Sequence, residues 1–458
     1  VLKRKEIFMK RRELLKSAML GAPIAMGFPM IVPSSALGRG ATPPSDRILL
    51  GSIGLGRMGG GNTRGFLRYD DVRVAAVCDV QEARREQMKK VVDERYGDQA
   101  CSTYNDFREL LARKDLDAVM IATGERWHPL IAIEAARLGK HMYCEKPMAR
   151  TVEEAKAVRD AIRRSGVVFQ LGTMQRSSFY FRHACELVRN GKIGQLQTIA
   201  IASAGGNGSV LPPEVPSAPP EGVDWDMWLG PAPWAPYSEL RISLNWLDIY
   251  DYGLGLMGGS WGIHELDIAQ WVNNSDRSGP VSVEGTAEFY HDIRDTASSY
   301  DIEYKYANGV RVNFMDLPTA RKRFWQFQYG SSEQRGYGDV IIGSEGWIFV
   351  SRESVRTHPE ALVRTVIGPN EIRVRSNDHK RNFLDAIKNG REPISHIEAA
   401  VRGESMCQIG DIAIRLRRKL RWDPEGEQFP DDAQANRRLS RPMRSPWRLE
   451  TPGAPRSA

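Results

Sequence analysis

The sequence predicts an α/β chain in two parts, a doubly wound parallel N-terminal domain and a C-terminal α/β domain built on a large open, mainly antiparallel sheet. Three observations carry this. An apolar run ends in the glycine pattern Gly54-Leu55-Gly56-Arg57-Met58-Gly59; strand and helix periods then alternate as far as Leu171; beyond residue 280 the period falls to two.

Arg47 to Ile53 reads as a buried strand, and the glycines follow at its turn into a helix running through Phe66 and Leu67. Gly54 permits the tight turn, Gly56 lets the backbone approach a pyrophosphate, and Gly59 lets helix pack closely on strand. Leu55, Arg57 and Met58 complete a loop whose free N–H groups face the anion. A second strand, Val72 to Cys78, ends in Asp79, placed for a carboxylate to accept hydrogen bonds from the adenosine ribose. Asp79 favours NAD over NADP, while Arg84 and Arg85 are the residues available to a 2′-phosphate. A helix from Gln81 to about Arg95, another at Phe107–Ala112, an apolar strand at Ala118–Thr123, a helix at Pro129–Leu138 and a strand at His141–Cys144 follow. Thr151 with Glu154 is a capping box opening a helix to about Arg164, and Gly166 ends it before the strand Val167–Leu171. Residues 46–172 thus make a complete Rossmann dinucleotide-binding domain.

Residues 173–420 read as the second domain. Val281, Val283, Ala287 and Phe289 alternate with polar residues, and Tyr300–Tyr306 and Val310–Phe314 do so around Asn308-Gly309, which predicts a tight hairpin. Strands are expected at Phe324–Tyr329, Val340–Ile342 and Trp347–Val350, giving an open antiparallel sheet whose outer face suits pairing of subunits into a dimer or tetramer. Gly205 to Tyr237, rich in Gly, Pro and Trp, has neither period and is expected to form a long lid or rim. Helices return at Asn382–Lys388 and Ala399–Lys419. The Arg-rich stretch from Arg415 to Arg448, which runs into a C-terminal extension at 421–458, is interleaved with Asp and Glu and reads as a solvated, ion-paired surface.

The segment Lys10-Arg11-Arg12-Glu13-Leu14-Leu15-Lys16 is a twin-arginine signature, followed by an apolar run from Ala18 to Val32 and by Ser34 and Ala36 at cleavage-site spacing. Gly21, Pro23, Gly27 and Pro29 interrupt that run, which is short for a membrane span. Residues 1–36 are therefore expected to be a signal peptide, with synthesis starting at Met9, 37–45 a linker, and the twin-arginine machinery a partner that delivers the protein to the periplasm or beyond. They hold seven of the 64 Lys and Arg and two of the 57 acids, so the rest carries 57 against 55 and the net charge falls from +7 to +2. That balance excludes a nucleic-acid surface. The five cysteines, Cys78, Cys101, Cys144, Cys185 and Cys407, show neither paired spacing nor a C-x-x-C, so neither a disulfide framework nor a metal site is expected.

Two segments concentrate the chemistry. Tyr143-Cys144-Glu145-Lys146-Pro147 falls at the carboxyl end of a parallel strand, and Pro147 fixes the chain so that Lys146 points into the crevice, where an ammonium stabilises a developing alkoxide. In Gly258-Gly259-Ser260-Trp261-Gly262-Ile263-His264-Glu265-Leu266-Asp267, His264 and Asp267 are three apart and share a helical face, so the carboxylate is expected to orient the imidazole. Trp127, Trp228 and Trp261 are candidate sugar-stacking faces.

With these motifs the chain resembles the glucose-fructose oxidoreductase, inositol dehydrogenase and rhizopine-catabolism (Gfo/Idh/MocA) family over nearly all of residues 46–450. Besides the glycine loop, the resemblance rests on Ala122-Thr123 with Trp127-His128-Pro129, Glu145-Lys146-Pro147, Gly172-Thr173-Met174-Gln175-Arg176, Trp228-Leu229-Gly230-Pro231, and Gly262-Ile263-His264 with Asp267. It implies Ala122, Thr123, Trp127, His128, Glu145 and Lys146 beside a nicotinamide cofactor, Lys146 and His264 as the catalytic pair, and Arg176, Trp228, Trp261 and His264 toward the substrate; export to where no NAD pool exists implies that the cofactor is tightly held. Many dehydrogenases of the family place an acid four residues before the histidine, where this chain has Ser260, a residue that holds a water or hydroxyl but carries no proton as a carboxylate does. The expected function is an exported NAD-dependent oxidation of a sugar, sugar derivative or cyclitol. The alternatives are a redox-neutral NAD-dependent glycoside hydrolase passing through a keto intermediate, and a non-catalytic sugar-binding protein.

Overall fold

The computed structural model describes residues 43, 46–206, 208–327 and 337–449; the expected signal segment lies outside them. Strands β1 (Ile48–Ile53), β2 (Val72–Cys78), β3 (Ser102–Tyr104), β4 (Ala118–Ile121), β5 (His141–Cys144) and β6 (Phe169–Leu171) form a wholly parallel sheet in the order β3-β2-β1-β4-β5-β6. Helices α1 (Arg57–Phe66), α2 (Glu82–Tyr96), α3 (Phe107–Leu111), α4 (His128–Arg137) and α5 (Val152–Ser165) connect them. Burial on both faces explains the near-continuous apolar runs of β1, β2 and β4. The Thr151–Glu154 capping box opens α5, and Gly166 closes it. Chain order reverses between β1 and β4, so the crevice outside their carboxyl ends is the ligand edge.

After α6 (Phe179–Arg189) the chain enters β7 (Leu196–Ser203), then the short helices α7 (Trp225–Leu229) and α8 (Glu239–Ile242), then α9 (Gly262–Val272). The hairpin strands β8 (Ser282–Phe289), β9 (Ala297–Lys305) and β10 (Arg311–Asp316) follow, then α10 (Leu317–Arg323), β11 (Gly338–Gly343), β12 (Trp347–Val350), β13 (Val355–His358), α11 (His379–Asn389), α12 (Ile397–Leu416) and β14 (Leu420–Arg421). The second sheet has the order β13-β12-β11-β7-β10-β9-β8-β14. Gly309, at φ +87°, makes the expected tight turn between β9 and β10. The sheet is mixed rather than purely antiparallel, because β7 pairs parallel with β10 at its centre while the other pairs are antiparallel.

Three expectations are corrected. Phe324–Phe327 lies not in a strand but at the end of α10 and in the helical turn Trp325–Phe327; Asp316 accepts the Thr319 N–H and starts a helix there, and residues 328 and 329 lie outside the described residues. Phe324 and Phe327 pack with Trp347 on the outer face of the second sheet, covering part of it with the chain's own side chains. The 205–237 stretch is irregular as expected, yet its end is core rather than lid, with Trp225, Trp228 and Tyr237 buried against Ile249 and Tyr252. The C-terminal extension is likewise no solvated appendage: Trp422 and Phe429 enter the main core, Trp447 meets Trp127 edge-on at 4.6 Å, and Arg441 donates to Glu154 at 2.7 Å. Among the described residues no helix is long and apolar enough to cross a membrane.

Candidate active site

The glycine loop turns tightly from β1 into α1. Gly54 has φ +83°, a methyl there would stand 2.5 Å from the Ala122 carbonyl oxygen, and one at Gly59 would overlap the carbonyl of Gly54. Gly56 caps α1 without a side-chain partner and the first turn holds no acid, so its N–H groups are left for an anion. Leu55 is buried beneath the turn, while Arg57 and Met58 stand exposed on it. These features fit a dinucleotide pyrophosphate. Asp79, at the end of β2, accepts N–H bonds from Leu55 at 2.7 Å and Gln81 at 2.9 Å, which ties the glycine loop to the ribose position. Burial raises its proton affinity, and those bonds with Arg84 and Arg85 oppose the shift. Arg85 is held on the Asp79 carbonyl and on Asn105, and the Arg84 guanidinium lies 3.2 Å from a methyl built on Gly56.

The turns after β4 and β5 form the opposite wall. Ala122 and Thr123 pack against Gly54. The Gly124 N–H donates to His128 Nε2 at 3.0 Å, which leaves Nδ1 as the protonated nitrogen, donating to the Pro147 carbonyl at 2.6 Å. His128 is thus a neutral brace between the two turns, its proton affinity pushed down to about 4 by burial. Glu145 accepts from Asn62 Nδ2 at 2.7 Å and from the Lys146 N–H, pinning α1 to the lysine turn. The Lys146–Pro147 peptide is cis. Lys146 Nζ reaches across to the second domain and donates to the Ser260 carbonyl at 2.6 Å. Burial lowers its proton affinity, with the carboxyls of Glu145 and Glu125 opposing that shift.

Ser260 ends a π-helical turn, Leu256–Ser260, that runs into α9, a distortion frequent at functional sites. The side chain at this position does not hold the lysine; the backbone does. His264, in the first turn of α9, is buried with Nδ1 unpartnered, and burial together with the charges of Lys146 and Arg352 holds it neutral. Trp261 stands half-exposed beside it, its Nε1 donating to Glu265 at 3.0 Å and Arg352 lying over its ring at 4.1 Å.

The structure brings Lys146, Ser260, His264 and Trp261 together and separates other candidates from them. Asp267 does not orient His264, because both its oxygens are taken by Arg176, at 2.7 and 2.8 Å. Arg176 is fully buried on Asp267 and Asp276 and presents nothing to a substrate. Trp228 is not a sugar platform either; it is buried, stacked on Trp225, with Arg126 over its other side at 4.0 Å. Trp127 is buried between Phe107 and Trp447, its indole N–H on the Met227 carbonyl, so it is wall rather than contact surface. Sequence reasoning missed Glu125 and Glu404, two buried carboxyls close to Lys146, and Gln175, which bridges Glu265 and Arg352. A glutamate between an apolar strand and the Trp127-His128 pair was the available signal for Glu125.

The model of the oxidoreductase family's NAD-binding Rossmann fold matches residues 48–173, and that of its C-terminal alpha/beta domain matches residues 204–449. A myo-inositol 2-dehydrogenase from Thermotoga maritima is 30% identical over 154 residues, 34% of this chain and 44% of that protein. A glycosyl hydrolase family 109 protein from Shewanella baltica is 36% identical over 126 residues, 27% of this chain and 28% of that protein. The chain thus matches less than half the length of these curated relatives. The crystal structure of scyllo-inositol dehydrogenase from Lactobacillus casei with bound NAD(H) and scyllo-inositol has the same fold, with a TM-score of 0.57 at 17% identity over 82% of this chain and 99% of that one. With both domains matched in order and the second match alone spanning more than half the sequence, the chain belongs to the Gfo/Idh/MocA oxidoreductase family, an NAD-binding Rossmann domain followed by that family's C-terminal α/β domain.

Proposed function

We propose that this protein is an exported enzyme that oxidises a hydroxyl-bearing carbon of a sugar, sugar derivative or cyclitol with NAD that it retains between turnovers, the bound NADH being returned to NAD by reduction of a second sugar. The observation that carries the reading is Lys146, whose ammonium acts on His264 and is anchored through one N–H to the Ser260 carbonyl. A bound nicotinamide supplies the hydride acceptor. Lys146 then has two N–H donors left to stabilise the alkoxide, and neutral His264 offers a ring nitrogen to the hydroxyl proton. Trp261, half-exposed beside His264 with Arg352 over its ring, is the indole nearest the candidate substrate position. NAD is favoured over NADP by the Asp79 carboxylate at the end of β2, beside which Arg85 is already engaged. Retention is supported by the segment 222–224, whose backbone pairs with residues 80–82 next to Asp79. Export rests on the Lys10–Lys16 signature, outside the described residues.

The test starts from protein purified without added nucleotide. Mass spectrometry of the denatured sample is expected to find one NAD per chain, and a panel of carbon-deuterated sugars and inositols to transfer deuterium to it. Lys146→Ala is expected to lower that transfer by about 10²-fold or more. Sugar binding with no carbon–deuterium cleavage by the wild type anywhere in the panel overturns the reading and leaves the non-catalytic sugar-binding protein. The retaining segment equally suits the redox-neutral glycoside hydrolase, in which deuterium transfer occurs without net NADH.

A further inference from the structure

Glu125 occupies the turn between β4 and α4, on the side that faces the second domain. Its side chain is 0% exposed; Oε1 accepts the Leu254 N–H at 3.0 Å, and Oε2 has no hydrogen-bond partner. Burying a carboxyl with an unsatisfied oxygen is costly, and such groups persist where they serve something. The surrounding backbone makes room for it: a methyl at Gly253 or Gly259 would stand 2.5 Å from Oε1. Gly259 precedes Ser260, the anchor of Lys146 Nζ, and Pro147 packs on that same glycine. The carboxyl and the ammonium therefore bear on one short piece of the π-helical turn.

We propose that Glu125 is a positioning residue for Lys146: its buried carboxylate keeps the lysine protonated and seated on the Ser260 carbonyl, the form that stabilises an alkoxide. The catalytic use of that form rests on the function proposed above; the coupling between the two side chains does not. The other titratable groups around Glu125 are its neighbour Arg126, Arg150 before α5, Glu404 and Cys407 on α12 and Arg441 in the C-terminal extension. Lys146 also feels Glu145, Glu404, Arg352, His128 on α4 and, from α9, His264. Glu404 is satisfied to the same degree, one oxygen taking the Met148 N–H at 2.5 Å and the other without a hydrogen-bond partner; what sets Glu125 apart is its packing on Gly259, next to the lysine's anchor. Burial pushes Glu125 up to about 7 and Lys146 below the ordinary lysine range, and each charge partly offsets the other's shift. Above neutrality the carboxylate is ionised and supports the ammonium. Without it the lysine gives up its proton at lower pH.

The experiment is a pH titration of holoprotein carrying ¹³C-labelled lysine, with the Lys146 signal identified by its loss in Lys146→Met. Glu125→Gln is expected to lower the Lys146 midpoint by roughly one pH unit or more, and Glu125→Asp to recover part of that shift. A midpoint unchanged in folded, NAD-bearing Glu125→Gln overturns the proposal. A reciprocal measurement covers a Glu125→Gln protein that does not fold: in Lys146→Met, the carboxyl signal of ¹³C-labelled Glu125 is expected to titrate about one unit higher, and an unshifted signal overturns the coupling equally. Neither titration uses a substrate, so failure of the deuterium-transfer assay and failure of this coupling are separate results.

Discussion

Arg176 grips Asp267 in a two-bond ion pair in which neither side chain meets solvent, 0% and 1% exposed. This arrangement assigns different work to two residues that share a helical face. His264 is left with an unpartnered nitrogen next to Lys146, whereas Asp267 ties α9 to the turn that follows β6. Asp267→Asn is therefore expected to act on stability, leaving the buried guanidinium short of one charge at a cost of roughly 3–5 kcal/mol. Its thermal midpoint should fall well below that of the wild type, while His264→Asn keeps the midpoint and loses about 10²-fold or more in deuterium transfer. An Asp267→Asn protein of normal midpoint but lost transfer would return Asp267 to the catalytic set. The spacing of His264 and Asp267 was legible in the sequence, but their pairing was not. A three-residue interval fixes a face of a helix, and only the fold reveals that an arginine from 91 positions earlier competes for the carboxylate and wins it.

The elements that hold the cofactor end differ in how clearly the sequence announces them. β1, the glycine turn, α1 and β2 are legible because each obeys a local rule: a doubly buried parallel strand, a positive φ at Gly54, a close approach at Gly59. β7 escaped notice, since Ile199-Ala200-Ile201-Ala202-Ser203 is buried on both faces at the centre of the second sheet and shows no alternation to detect. The segment 222–224, paired beside Asp79, is equally silent locally. The Glu82 N–H donates to the Gly222 carbonyl, the Asp224 N–H to the Val80 carbonyl, and Asn105 Nδ2 to Asp224 at 2.8 Å, contacts made only once residues more than a hundred positions apart are brought together. If this segment retains NAD, loosening it speeds release. Asn105→Ala is expected to raise the NAD dissociation rate about tenfold, equivalent to roughly 1.4 kcal/mol, measured by exchange of bound NAD against a labelled pool. An unchanged rate would separate the segment from cofactor retention.

At the scale of the molecule, the buried titratable groups make stability depend on pH in two opposing ways. His128 braces the β4 and β5 turns, and His379, bonded to Ser177 Oγ and to the Leu171 carbonyl, fixes the start of α11; burial holds both near 4 instead of 6.5. A depressed histidine favours folding in its neutral form, so each contribution is present above pH 6.5 and is lost as pH falls toward 4. By linkage that loss is roughly 3 kcal/mol per histidine. Glu125 runs the other way. Raised by burial to about 7, its contribution is present below the ordinary carboxyl value near 4.5 and is lost as pH climbs to 7, again by roughly 3 kcal/mol. Two histidines outweigh one glutamate, so the contribution of these three groups is expected to decline on acidification from pH 7 to 4, by about half of what the histidines alone would give. Thermal midpoints measured across that range should fall more gently in His379→Gln than in the wild type. They should fall more steeply in Glu125→Gln, which should also be the more stable protein at pH 8, where the wild type must keep a buried carboxylate ionised. Equal midpoints for Glu125→Gln and wild type at pH 8 would mean that the carboxylate carries no cost in the folded protein.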